Sequence, residues 1–141
     1  MKRTLLCLNL LFLFLISPCA SAQISKNEKK ALIALYDATS GDEWTHSWNL
    51  NMSPQSWYGV VIENDHVVEL NLHKNNLQGT LPESINDLRK LEVLNLAFNK
   101  ITGEIPFDLV KLEQLTVLRL EMNRLKAVSY THLTLPTTPY V

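Results

Sequence analysis

A set of polar, charged and large apolar side chains recurs at fixed places between evenly spaced leucines. The set consists of Asn71, His73, Lys74, Asn95, Phe98, Arg119, Glu121 and Met122. Residues between buried leucines in a strand point away from the core, so we expect these side chains on one exposed, concave sheet face. Amide, charged, aromatic and thioether groups on a rigid surface suit ligand contact. The alternative is that these columns vary freely and bind nothing.

Catalysis is not predicted for residues 23–126. The sequence holds no nucleophile beside a base in a known motif, no Gly-rich phosphate loop and no His/Glu pair at metal-ligand spacing. Asp65 and His66 are adjacent, but their place at the start of a strand is better explained by turn geometry. His46 has no acidic or histidine partner at ligand spacing, and neither His46 nor His73 is assigned a catalytic role. We therefore predict a non-enzymatic chain with no cofactor and no metal.

The elements that would position the exposed set repeat every 24 residues. The stretches are "VVELNLHKNNLQGTLPESINDLRK", "LEVLNLAFNKITGEIPFDLVKLEQ" and "LTVLRLEMNRL". Alternating leucines predict a strand with one buried face. One turn cannot bury its own leucines, so successive turns must stack and pair their strands in parallel. The recurring Asn75, Asn99 and Asn123 are expected to satisfy backbone groups where the chain leaves each strand.

The segment before the repeats predicts a helix and an aromatic cluster. Ser25 and Glu28 have the spacing of a reciprocal capping box at the start of a helix that runs to Ala38. The stretch "WTHSWNLNMSPQSWYGV" then contains every tryptophan of the chain. Such a cluster could be a carbohydrate platform, but bulky apolar cover for the open end of the solenoid is favoured.

The repeats resemble extracellular leucine-rich repeats of the "GxIP" subtype, here "GTLP" and "GEIP". The segment before them resembles that family's N-terminal cap, through "ALYDATSGDEW" and "SWYGV", and the resemblance covers about residues 25–125. It implies an α/β leucine-rich repeat solenoid with a parallel sheet, a cap at 23–64 and repeats at 65–126. Plant receptor ectodomains usually carry a cysteine pair in this cap, where this chain has Gln55 and Ile62. The chain therefore looks more like disulfide-free surface proteins of bacteria and microbial eukaryotes.

The N-terminus predicts export. Residues 1–22 combine the basic start "MKR", the short apolar run "LLCLNLLFLFLI" and the small-residue site "ASA", as a signal peptide does. The alternative is lipid attachment at Cys19. Cys7 and Cys19 both lie in this segment, so the exported chain would have no cysteine. The net charge of −1 points to neither nucleic acid nor an anionic membrane surface.

Residues 127–141 depart from the repeat. The stretch "VSYTHLTLPT" could be a closing strand, but it resembles the translation of a transposase adapter used in sequencing libraries. We interpret 127–141 as a non-native tail and the chain as truncated after about two and a half repeats.

The predicted function is recognition outside the cell. We expect a secreted or cell-surface binding module that takes a protein, peptide or glycan ligand on its concave sheet, with no membrane span in the mature chain. The alternative is an ectodomain fragment of a receptor kinase, or of a larger surface enzyme or adhesion protein whose active part is missing.

Overall fold

The computed structural model describes residues 23–126, and the predicted signal peptide and the predicted tail lie outside this range. One α-helix and seven strands follow in the order α1 (Lys26–Ala38), β1 (Val60–Glu63), β2 (His66–Asn71), β3 (Gln78–Thr80), β4 (Val93–Asn95), β5 (Lys100–Glu104), β6 (Val117–Arg119) and β7 (Arg124–Lys126). Short 3-10 helices span Gly41–Glu43, Pro54–Ser56, Glu83–Asp87 and Phe107–Lys111.

Helix α1 begins with the predicted capping box. The Ser25 Oγ accepts the backbone N–H of Glu28 at 3.2 Å, and Glu28 Oε2 accepts the backbone N–H of Ser25 at 3.1 Å. The Glu28 carboxylate is buried and also accepts the backbone N–H of Val67 at 3.1 Å. One side chain therefore both begins the helix and fixes it to strand β2.

Two sheets run side by side through the repeats. The first has the order β1-β2-β4-β6, with β1 antiparallel to β2 and the other neighbours parallel. The second has the order β3-β5-β7 and is parallel throughout. Leu70, Leu94 and Leu118 are direct partners across β2, β4 and β6. The predicted α/β solenoid with a parallel sheet and a 24-residue register is confirmed.

The asparagines connect successive turns through buried hydrogen bonds. Asn99 Oδ1 accepts the backbone N–H groups of Asn75 and Leu77, both at 3.0 Å. Its Nδ2 donates to the carbonyl of Leu72 in the preceding turn and to that of Leu96 in its own turn, both at 2.9 Å. The Asn99 side chain thus satisfies the backbone of two turns at once.

The tryptophan-rich segment lies in the core beside the first turn. Trp44, Trp48 and Trp57 are all buried, and each indole N–H donates to a backbone carbonyl. The backbone N–H of His46 donates to Asn75 Oδ1 at 2.7 Å, so this loop occupies the position that a preceding turn would take in the hydrogen-bond ladder. Because these indoles are buried, they do not form an exposed carbohydrate platform.

Tyr36 belongs to the same aromatic cluster and stacks on Trp48 with ring centroids 6.0 Å apart. Its hydroxyl lies 3.0 Å from Ser47 Oγ and donates to Asp42 Oδ1 at 2.7 Å. The hydrogen bond with Ser47 lowers the pKa of Tyr36, but the Asp42 carboxylate and burial outweigh it and raise that pKa above its ordinary value. The neutral phenol is therefore the form that suits this position.

Candidate functional site

The open face of the first sheet carries a groove of about 590 Å³, here called the sheet groove. It is lined by Tyr58, Gly59, Val60, Val61, Glu69, Asn71, His73, Asn95 and Arg119. It crosses the whole sheet, from the antiparallel strand β1 to the edge strand β6. Of the predicted set, the structure brings together Asn71, His73, Asn95 and Arg119.

Strand pairing arranges the floor of the groove in two rows. Asn71, Asn95 and Arg119 are direct partners on β2, β4 and β6 and form a polar row. Beside it, Glu69 pairs with Val61 on one side and with Val93 on the other. The polar row therefore lies beside a second row, of which Val61 and Glu69 line the sheet groove.

Short-range hydrogen bonds orient the two asparagine amides. Asn71 Oδ1 accepts the backbone N–H of His73 at 3.4 Å, and Asn95 Oδ1 accepts that of Ala97 at 3.2 Å. The Nδ2 of Asn71 also donates to Glu69 Oε1 at 3.4 Å. Each amide therefore keeps at least one free N–H donor and one oxygen lone pair for a ligand.

Aromatic rings stand at the groove. Tyr58 is 45% exposed and stacks on His46 with a centroid distance of 4.2 Å. His73 meets Phe98 of the next turn edge-on at 5.2 Å. Gly59 has a φ of 77°, and a Cβ there would overlap the carbonyl oxygen of Asn71. Only glycine lets the chain beside Tyr58 approach β2 this closely.

The other predicted residues lie outside the lining of the sheet groove. Lys74, Phe98 and Met122 follow the strands, with left-handed φ values of 51°, 57° and 56°. They are exposed, as is Glu121, whose carbonyl accepts the backbone N–H of Phe98. Their role in ligand contact stays a prediction.

Sequence reasoning missed Tyr58 and Val61, and it left Glu69 out of the candidate set. Tyr58 lies in the "SWYGV" stretch, which was interpreted only as the entry into the first strand, and Val61 directly follows that stretch. The signal was the run of three β-branched residues at 60–62 shortly before a tight Asn64-Asp65 turn, which predicts a hairpin with the first repeat strand. Glu69 belongs to a repeated column whose other members, Val93 and Val117, are apolar.

Other kinds of site were sought in the described part of the chain. Among residues 23–126, no three His, Cys, Asp or Glu side chains converge as metal ligands. Within the same residues, no helix is long and apolar enough to cross a membrane.

Comparison with known proteins agrees with this geometry. Residues 65–125 match the family model described as "Leucine rich repeat". The fold of the described residues is that of a leucine-rich repeat solenoid. The ectodomain of the receptor kinase SOBIR1 from Arabidopsis thaliana is similar, with 25% identity, a TM-score of 0.60, and coverage of 73% of this chain and 57% of that one.

Two similar Arabidopsis thaliana ectodomains were solved with ligands. The first, of GASSHO1/SCHENGEN3 in complex with CASPARIAN STRIP INTEGRITY FACTOR 2, has 29% identity, a TM-score of 0.64, and coverage of 70% of this chain and 12% of that one. The second, of HAESA with a peptide hormone, has 26% identity, a TM-score of 0.61, and coverage of 70% and 17%. This chain spans 57% of the SOBIR1 ectodomain, so it corresponds to part of such proteins.

Proposed function

We propose that this chain is an extracellular recognition module that binds a peptide, protein or glycan in the sheet groove. The observation that carries the proposal is the groove itself, which crosses four strands with an ordered polar row on its floor. Side chains held by strand pairing are pre-organised, which lowers the entropic cost of binding. The similar ectodomains whose structures contain a peptide hormone or an integrity factor support recognition rather than catalysis.

The signal-like residues 1–22 support export, because a basic start, a short apolar run and small residues before the cleavage point are what secretion requires. The alternative function, a fragment of a receptor kinase ectodomain or of a larger surface enzyme or adhesion protein, is favoured by the similarity to the SOBIR1 ectodomain. Sequencing the source DNA across codon 126 tests this alternative. A frame that continues into another repeat and then a kinase domain would support it, and a stop codon directly after the tail would contradict it.

The groove is tested by blocking its floor. Asn95→Trp places a bulky ring on the polar row, and Thr102→Trp places the same ring on β5 of the second sheet as the control. Secreted peptides and oligosaccharides are passed over the immobilised variants in surface plasmon resonance. We expect any ligand of the unchanged protein to be lost with Asn95→Trp and retained with Thr102→Trp. A ligand retained by Asn95→Trp would show that recognition uses another surface.

A further inference from the structure

The polar row of the sheet groove offers more hydrogen-bond donors than acceptors. The side-chain oxygens of Asn71 and Asn95 each already accept one backbone N–H group. What remains for a ligand is one lone pair on each amide oxygen, the amide N–H donors that Glu69 does not use, and the guanidinium of Arg119, so donors predominate. These donors are repeated at the strand spacing, about 4.8 Å.

A ligand rich in acceptors therefore suits this row. A peptide backbone carries obligatory N–H donors beside its carbonyls, and each N–H buried against a donor costs about 1–3 kcal/mol. A sugar hydroxyl rotates and can accept, and a carboxylate only accepts. The polar row thus favours an oxygen-rich ligand over a peptide backbone.

Glu69 and Asn71 form a donor and acceptor pair at one end of the groove. The Nδ2 of Asn71 and Oε1 of Glu69 lie 3.4 Å apart, which is long enough for a ligand hydroxyl to compete for both. A hydroxyl placed there accepts from the amide and donates to the carboxylate. Adjacent hydroxyls on a sugar ring suit such a pair because each both donates and accepts.

Tyr58 supplies a flat apolar face beside this pair. Within residues 23–126, its ring stacks on no aromatic side chain other than His46. Its backbone carbonyl accepts the Trp48 indole N–H at 2.9 Å, which holds the residue in place. An aromatic face of this kind packs against the C–H face of a sugar ring, and the phenol hydroxyl remains free for water or ligand.

Arg119, at the other end of the groove, forms no ion pair with another of the described residues, 23–126. The ion pairs found within residues 23–126 are those of Glu28 with His66 and of Asp108 with Lys111. Arg119 is exposed and lines the groove. A guanidinium without a partner binds a carboxylate through two parallel hydrogen bonds.

The geometry points to an acidic oligosaccharide, a linear glycan with at least one uronic acid, as the ligand of the sheet groove. Its carboxylate binds Arg119, its hydroxyls accept from Asn95 and Asn71, and one ring packs on Tyr58. This assignment rests on the proposed function and names the ligand class for the same site.

The test is calorimetric titration of the full chain with a defined oligouronate and with its methyl ester. The ester keeps every hydroxyl but loses the charge. We expect the oligouronate to bind at least about tenfold more tightly than the ester, the value of one charge-assisted hydrogen-bond pair. Arg119→Gln should lower the oligouronate affinity to that of the ester. Arg124→Gln, at an exposed arginine on β7, is the matched control and should change neither affinity.

A second variant tests the charge of the ligand. Asn95→Asp keeps the side-chain oxygen that accepts the Ala97 N–H but replaces the outward donor with an acceptor. It should weaken the oligouronate about tenfold or more, because the new carboxylate repels that of the ligand, whereas the hydroxyls of the ester can donate to it and keep their affinity. Thermal unfolding of each variant shows that the fold is kept.

The outcomes separate the two proposals. Oligouronate binding that Arg119→Gln and Asn95→Asp leave unchanged overturns the glycan assignment. The glycan assignment is also overturned if neither saccharide binds but a peptide does, and Asn95→Trp then removes that peptide. That result would preserve the groove as the recognition site. If Asn95→Trp removes no ligand of any kind, the proposed function itself fails.

Discussion

The Asn99 side chain stabilises the solenoid by forming hydrogen bonds with backbone groups of two turns. Asn75 and Leu77 each donate a backbone N–H to its side-chain oxygen, and the Leu72 carbonyl accepts from its nitrogen. We expect Asn99→Ala to lower the free energy of unfolding by about 3 kcal/mol, because three backbone groups lose their partner and each costs about 1 kcal/mol or more.

The control for this prediction is Asn95→Ala in the same turn. Asn95 is only half-buried, and its oxygen accepts a single backbone N–H, so the expected loss is about 1 kcal/mol or less. Urea denaturation of both variants measures the difference, provided that the m-value is unchanged. Equal losses would contradict the role given to the buried asparagine.

At the same scale, the sequence predicted some residues and missed others for a physical reason. The ladder asparagines could be predicted because they recur every 24 residues and each one bonds to its neighbouring turn. Tyr58 could not be found by that route, because it lies just before β1, a strand that occurs once and pairs antiparallel with β2. The left-handed backbone of Phe98 was missed because propensity gives a large aromatic residue no reason to adopt positive φ.

Among the elements, the approach of β1 to β2 depends on Gly59. Gly59 and Gly103 have nearly equal φ values, 77° and 78°. Substitution by alanine therefore costs the same backbone strain, about 1–2 kcal/mol, at either position. The surroundings differ. A Cβ at Gly103 would lie 3.0 Å from a methyl group of Thr80, which can rotate away, but at Gly59 it would overlap the fixed backbone of Asn71.

We therefore expect Gly59→Ala to destabilise the protein by about 1–3 kcal/mol more than Gly103→Ala, the usual range for an overpacked contact. Thermal unfolding of the two variants side by side measures this difference. If Gly103→Ala is the more damaging, the close approach of β1 to β2 is not a constraint on the fold.

Helix α1 is fixed to the sheet by Glu28. Ser25→Ala removes one capping bond and should cost about 1 kcal/mol. Glu28→Ala also leaves the buried Val67 N–H without an acceptor, so its cost should reach about 2–3 kcal/mol. Chemical denaturation compares the two variants, and equal costs would mean that Glu28 acts on the helix alone. The helix itself was predictable from local spacing, but this link spans 39 residues and has no sequence signal.

At the scale of the whole molecule, the last turn leaves apolar side chains exposed. Leu118 is 47% exposed, whereas its partners Leu70 and Leu94 in the inner turns are fully buried. Phe107 and Val110 are 63% and 75% exposed, and a cleft of about 360 Å³ lies beside them. The end of a solenoid needs a polar cap over its apolar side chains, and unpaired strand edges tend to pair with other chains.

We expect the protein to self-associate as its concentration rises. Leu118→Lys should reduce this association, because a charge on β6 opposes burial of that face. Met52→Lys, at a 52% exposed methionine in the N-terminal segment, is the control and should not. Sedimentation velocity measures the effect. A monodisperse monomer that unfolds in a sharp, reversible transition would contradict the prediction.

The unshifted register between successive strands has an evolutionary consequence. Because Asn71, Asn95 and Arg119 are direct partners, duplication of one repeat in the gene would lengthen the groove by one strand separation, about 4.8 Å, without disturbing the existing side chains. Loss of a repeat would shorten it by the same step. The number of repeats thus acts as a ruler for ligand length, whereas the residue at each step sets the chemistry, so the two properties can change independently.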